Sequence, residues 1–447
     1  MTKAFKTAVL SALAFASINA SAQNGVNSPY SRSGFGLMSD RSMGFNKGMG
    51  GIAQGYRDGQ SINTANPAAL SACDSLTALF DIGVSLQNGN FKMGDLQQNA
   101  RNSSFDYFAF HFRAAKDFGI AISMLPVTNI GYNFTSQSEN LEGTDAQSSY
   151  TFSGNGGLHQ IQLGLGWKIA KPLSIGANIS YLYGDYYQNM SDKLSDKSTS
   201  TNISTMSKTY MADISTYTLD LGAQYTQKLS DKNSMVLGFT YSLGHDVNND
   251  ANMVIASANT SGTSNSDTKT IKNAFQVPHS FAAGVTYYHS YKFLAGVDYE
   301  LQKWSNVKFP DNNSNDTYQS TTGQFNDRMK VAAGLAWTPD IYSTSNFAKR
   351  ITYKFGGFYS KSYANADGTK LADKPYEFGL SAGMTLPLAN ANSNHSTPKL
   401  NVSFQWVHSD IPYLNASNIQ NHLTENYLKV CLGLTISDRW FYKWKIK

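Results

Sequence analysis

From Leu76 onward, one pattern constrains this chain more than any other: apolar side chains recur at every second position in segments of about ten residues, separated by turns or polar loops. Within residues 291–301, Tyr291, Phe293, Ala295, Val297, Tyr299 and Leu301 share one parity, and Lys292, Gly296, Asp298 and Glu300 share the other. Within 376–386, Phe378, Leu380, Ala382, Met384 and Leu386 oppose Glu377, Gly379, Ser381, Gly383 and Thr385. A period of two places such sets on opposite faces of a β-strand. Fourteen segments of this kind lie near 76–86, 105–114, 118–134, 157–169, 173–187, 214–228, 234–246, 276–288, 291–303, 326–338, 350–362, 376–388, 398–409 and 425–436.

Composition narrows the class. Charged residues are 15% of the 447, against about 25% in soluble globular proteins. Past the N-terminus no apolar run approaches the roughly 18 residues of a spanning helix, which excludes a helical membrane protein. The expected fold class is therefore all-β: a 14-stranded antiparallel transmembrane β-barrel, an even strand number as bacterial single-chain barrels require.

Connection lengths support a membrane barrel over a soluble sandwich. Those after odd-numbered segments read as long polar loops, such as 188–213, 246–275 and 306–324. Most after even-numbered segments are short, as at 115–117, 170–172, 228–233 and 288–290, with 339–349 and 389–397 intermediate. Long loops on one rim and short turns on the other belong to outer-membrane barrels. Short turns then face the periplasm, as do both termini. The apolar sets face lipid, where a charge at the midplane costs about 2–4 kcal/mol. His111, Arg113, Lys168, Asp298, Glu300, Lys330 and Lys429 are assigned to the lumen, and Tyr181, Tyr183, Trp337 and Trp406 to interfacial girdles.

Residues 1–22 read as a secretory signal peptide: Lys3 and Lys6, an apolar stretch over 8–16, and Ala20-Ser21-Ala22 as cleavage site. Its removal takes the net charge from +5 to +3. Residues 23–75 do not alternate and are assigned to an N-terminal hatch, or plug, inside a lumen that side chains alone would not fill. Residues 76–447 form the barrel with a short periplasmic tail. Cys73 and Cys431 are too few for a disulfide framework and read as free thiols, although a single bridge between them is open.

A Gly-rich run holding Gly48, Gly50 and Gly51, followed by Asn66-Pro67-Ala68 and fourteen strands, resembles the FadL/TodX family of outer-membrane transporters of hydrophobic compounds. Val277-Pro278 and Gln302-Lys303-Trp304 add to the likeness. Ser28-Pro29-Tyr30-Ser31-Arg32 and the closing Asp438-Arg439-Trp440-Phe441-Tyr442-Lys443 resemble the Bacteroidota branch. The resemblance implies passive uptake of a fatty-acid-like or aromatic small molecule. The ligand would pass a lumen pocket, then a hatch with Asn66, Pro67 and Ala68 at its gate, and leave through a wall opening at a kinked strand. Pro126, which cannot donate to a ladder, is the candidate kink. The implied partners are outer-membrane lipid and a hydrophobic ligand. A non-transporting barrel subunit of a larger assembly or secretion complex, with other envelope proteins as partners, is the alternative. An open diffusion porin fits a plugged, aromatic-rich chain less well. The supposed loops at 188–213 and 257–270 are rich in Ser, Thr, Asn and Asp, where an apolar capture groove would carry Phe, Leu or Ile; capture lower in the barrel or a more polar ligand follows.

Nothing points to an enzyme, a cofactor or a metal. The eight histidines are scattered, with no H-E-x-x-H, no Cys/His ligand spacing and no G-x-S-x-G. No basic run suggests nucleic acid.

Overall fold

The computed structural model describes residues 26–439, except 95, 136–138, 142, 197–201, 260–263, 312–317, 365–373, 389–397 and 415–419. The leader, the connection 389–397 and the run from Trp440 onward lie outside the described residues.

Fourteen antiparallel strands form the wall: β1 (Thr77–Met93), β2 (Leu96–Ala115), β3 (Phe118–Pro126, continued as Thr128–Thr135), β4 (Ala146–Lys168), β5 (Leu173–Asp196), β6 (Asn202–Lys228), β7 (Asn233–Ser242), β8 (Ser280–His289), β9 (Phe293–Gln302), β10 (Arg328–Trp337), β11 (Thr352–Lys361), β12 (Tyr376–Pro387), β13 (Lys399–Leu414) and β14 (Gln420–Arg439). Each pairs with the next, and β14 closes on β1 in a register running from Thr77 opposite Arg439 to Met93 opposite Leu423. A closed sheet leaves no edge for lipid to meet.

The alternation becomes two faces. On β5, Ile179 is 53% exposed while its neighbour Asn178 is fully buried. The outward face carries Ile122, Leu163, Leu221, Phe239, Val297, Phe355, Leu380 and Leu432, all exposed. Outward aromatics bracket this band, with Tyr181, Tyr217 and Tyr299 toward one rim and Trp167, Tyr225 and Trp337 toward the other. Tyr217 and Tyr225 are eight positions apart on β6, roughly 27 Å of strand before tilt, which suits an apolar band about 25 Å tall.

On the short-turn rim the chain reverses tightly, with Asp117 and Ser290 at positive φ. The opposite rim corrects the sequence reading. The supposed loop 188–213 is mostly strand: β5 runs to Asp196 and β6 begins at Asn202, paired from Gln188 opposite Tyr210 to Ser195 opposite Asn202. The supposed loop 246–275 contains a hairpin, Ala251–Asn259 with Ser264–Ile271, whose first strand pairs with upper β6. Spanning needs only about 9–11 residues per strand, so β4, β5 and β6, at 23, 24 and 27 residues, overrun the apolar band as a β-tower. Above the band no lipid demands an apolar face, so the ladder continues without the alternation that announces it.

Among the described residues the wall splits between β2 and β3. Pairing of β2 with β3 covers only Phe108–Ala115 against Phe118–Met124. Pro126 is the last residue of the lower part of β3. After Val127 the strand bends inward, still paired to β4 but no longer to the 96–107 stretch of β2.

Candidate functional site: the filled lumen

Residues 26–75 lie against the inward face of nearly every strand. Asn66 organises their last turn: its Oδ1 accepts from the Ala68 N–H at 3.1 Å, capping the 3₁₀ helix Pro67–Ala72, with Pro67 at the position that needs no donor. Its Nδ2 donates to the Gln54 carbonyl at 3.0 Å and to the Ala223 carbonyl of β6 at 3.3 Å. The Gly-rich run forms a short helix, Gly44–Lys47, ending at Gly48; Gly50 and Gly51 then turn at positive φ, and the Gly50 N–H donates to Ser381 Oγ at 2.8 Å.

The wall is hollowed to receive this backbone. Gly119, Gly166, Gly176 and Gly222 stand side by side in register on β3, β4, β5 and β6. A Cβ at Gly166 would sit 2.6 Å from the Pro67 carbonyl oxygen, and one at Gly222 would sit 2.7 Å from Pro67 Cδ. Farther round, Gly238 faces the Gln54 carbonyl, while Gly334 and Gly356 face Met49. A mid-strand glycine commonly marks close backbone approach, and here the approach runs around the barrel.

Charge fastens the same segment. Lys47 is buried between Asp106 of β2 at 3.2 Å and Asp40 at 3.6 Å; Asp106 also meets Lys429 at 3.5 Å and accepts from Ser85 and Ser104. Burial disfavours both charges. Asp106 and Asp40 nevertheless hold the Lys47 ammonium well above its usual range, and Lys47 chiefly, with Lys330 and Lys429, holds Asp40 below the usual carboxylate range. Lys354 donates to the Phe45 carbonyl at 2.9 Å and to Asn401 Oδ1 at 3.0 Å, 3.8 Å above the Phe45 ring centre. Asp298 Oδ2 accepts from the Ala53 and Gln54 N–H groups at 2.5 and 2.8 Å. Arg57 donates to the Ala68 carbonyl, Gln224 and Ser71.

The remaining sequence candidates fall as follows. His111 Nε2 lies 2.9 Å from the Leu70 carbonyl, and Arg113 donates to Ser75 Oγ at 2.8 Å. Glu300 pairs with Arg328 at 3.5 Å, and Lys330 lies 4.9 Å from the Phe358 ring centre. Lys168 stands at the short-turn rim, its N–H donating to the Asp117 carbonyl, away from this network. Cys73 and Cys431 are buried free thiols; burial pushes the Cys73 thiol up to about 12. Sequence reasoning passed over Lys47, Asp106, Lys354 and the glycine row. The glycines were visible as mid-strand triplets such as Ile175-Gly176-Ala177 and Leu221-Gly222-Ala223.

The wall split is lined from inside by the chain's own beginning. Leu37 and Met38 pair with Asn129 and Thr128, Ser39 N–H donates to the Val127 carbonyl at 2.9 Å, and Ser28 N–H donates to the Gly131 carbonyl at 2.8 Å. Across the gap Ser28 Oγ donates to Glu425 of β14 at 3.0 Å, and the Tyr30 hydroxyl donates to the Leu423 carbonyl. Above residues 40–54 a cavity of about 200 Å³ remains, lined by apolar Phe35, Leu158, Leu182 and Trp304 and by Arg41, Asp220, Asp298, Glu300, Arg328 and Lys330. Its lining mixes these charged side chains with apolar ones, where the uptake expectation called for an apolar pocket.

Known proteins place the architecture. The toluene transporter TodX of Pseudomonas putida is 14% identical, with 91% of this chain and 99% of that one aligned at a TM-score of 0.57. A FadL homologue of Pseudomonas aeruginosa is 12% identical, with 91% and 99% covered and a TM-score of 0.58. The toluene transporter TbuX of Ralstonia pickettii is 13% identical, with 88% and 97% covered and a TM-score of 0.52. At such identities the likeness is one of fold alone: a closed 14-strand antiparallel barrel like theirs. No curated protein matches. The family model described as BamG matches residues 1–447, a family distinct from the one the sequence motifs suggested. The chain belongs to the BamG family.

Proposed function

We propose that this chain is a plugged outer-membrane barrel that acts as a non-conducting subunit of a larger envelope assembly, with its short turns in the periplasm and its β-tower outside the cell. The carrying observation is the interlock of residues 43–72 with the wall. Backbone of this segment rests against glycines of strand after strand, and buried Lys47 ties it to Asp106. A gate that moves in each transport cycle would have to break these contacts together. The lateral route is also lined, by residues 28–39 along the upper part of β3. The tower supplies a stiff docking platform that spanning alone does not need.

A second reading, uptake of a hydrophobic small molecule through the wall split, is favoured by the break in β3 after Pro126 and by the cavity beside it. Solute flux into liposomes separates the two. The protein reconstituted alone is expected to pass neither sugars nor an aromatic hydrocarbon above the lipid background. Deleting residues 26–39 is expected to admit the hydrocarbon while the barrel keeps its heat-modifiable mobility. Hydrocarbon flux through the unaltered chain would overturn the sealed-barrel reading in favour of uptake.

A further inference from the structure

We propose that the β2 side of the wall split is a strand-docking site: an extended segment of a partner polypeptide adds edge to edge to the upper part of β2, outside the lipid band. The inference rests on the assembly role proposed above and names its mode of contact. β2 pairs with β1 from Leu96 to Phe112 but with β3 only from Phe108 on, so residues 96–107 have one open edge among the described residues. Met93 and Leu96 close a two-residue turn and therefore exchange hydrogen bonds. Counted along the register from that pair, Gln97, Asn99, Arg101, Ser103 and Phe105 fall at non-hydrogen-bonded positions, and their N–H and C=O groups point away from β1. None of these groups has a backbone partner among the described residues. A row of unpaired donors and acceptors on a strand edge is a template for another strand.

Polypeptide is the occupant this edge specifies. Its groups recur at every second residue, the repeat of an extended backbone and not of a lipid headgroup or a glycan. The split already shows the mode on its other side, where the chain's own Leu37 and Met38 pair with Asn129 and Thr128 of β3. The side chains place the contact in water: Gln97, Asn99, Arg101 and Ser103 are exposed, and apolar character returns only at Phe105. Arg101 is the one charged residue of 97–105, so the docking segment is polar and carries an acidic side chain to meet it. A second copy cannot supply its own β2. Like edges of two strands meet across a two-fold axis normal to the sheet, which would turn one of the two barrels upside down in the membrane.

The test is amide hydrogen exchange, read by mass spectrometry, on the assembly extracted from the outer membrane in mild detergent and on the chain purified alone in the same detergent. The amides of Gln97, Asn99, Arg101, Ser103 and Phe105 are expected to exchange at least tenfold more slowly in the assembly. Those of Ser264–Ile271, a second strand with an open edge among the described residues, which carries Asp267 and Lys269, are expected to keep their rates. The double variant Asn99→Pro and Ser103→Pro removes two donors that face only the split, and an edge tolerates proline there. Its barrel is expected to stay heat-modifiable and to lose the slowing at the remaining three amides. Unchanged rates in an intact assembly would overturn this proposal alone; an extract holding only the solitary chain would overturn the assembly reading with it. Equal slowing at 264–271, slowing reproduced by adding lipopolysaccharide to the purified chain, or a proline variant protected like the parent would also overturn it.

Discussion

The lower and upper halves of β4, β5 and β6 belong to the same strands and obey different rules. Below the tyrosine girdle every residue answers to two neighbours at once, lipid outside and the N-terminal segment inside. The outward positions are therefore Ile, Leu and Trp, and the inward ones Gly, Ser, Asn and Gln. Above the girdle the outer face no longer meets lipid; inside, Leu182, Tyr186, Tyr210, Ala212 and Ile214 still pack into an apolar cluster, and beyond them the sequence relaxes to Ser, Thr, Asn, Asp and Lys while the hydrogen-bonded ladder continues. Alternation in such a chain reports the solvent on each face, not the strand itself.

The comparison breaks most sharply at Lys47. Lys47→Met leaves Asp106 and Asp40 buried without their main partner, and losing one member of a buried pair costs about 3–5 kcal/mol. Limited proteolysis should then clip the 26–75 segment while the barrel still shows heat-modifiable migration. The same pair gives a pH dependence. Asp40, held below its ordinary value, contributes fully above pH of about 4 and loses its contribution only well below it; Lys47, held above its own, contributes until pH rises past about 10.5. Resistance to clipping should be flat between these limits and fall first on acidification.

A milder break is Gly176→Val. The added side chain drives into the backbone at Pro67 and Ala68, and overpacking of this kind costs about 1–3 kcal/mol in thermal or urea unfolding. Smaller again, Asn66→Ala removes a helix cap and two carbonyl contacts, about 1 kcal/mol for the cap alone. At the other extreme Asp267→Thr, on the exposed hairpin above the girdle, should change stability by no more than about 0.5 kcal/mol. If the tower substitution costs as much as Gly176→Val, the two halves do not differ as argued.

These differences explain what the sequence made legible. The fourteen strands could be counted because lipid imposes a period of two on every crossing. Strand ends on the tower side could not, because residues 188–196 and 202–213 lose that period while remaining paired. The filled lumen was inferred from a segment without alternation, yet its fastening was not, because Lys47 and Asp106 stand 59 residues apart and meet only once barrel register is set. Glu300 was assigned to the lumen, but the ion pairs of the cavity escaped for the same reason: Arg41–Asp220 and Arg328–Glu300 draw on three strands and the lumen segment, and no local spacing marks them as neighbours. The glycine row was legible in principle, as repeated mid-strand glycines of one parity.

Native mass spectrometry of the protein extracted from its own outer membrane in mild detergent tests the central claim most directly. The account predicts a stoichiometric complex with other envelope proteins, in which this barrel carries no hydrocarbon or fatty acid. A solitary barrel bearing an apolar small molecule of discrete mass would contradict it.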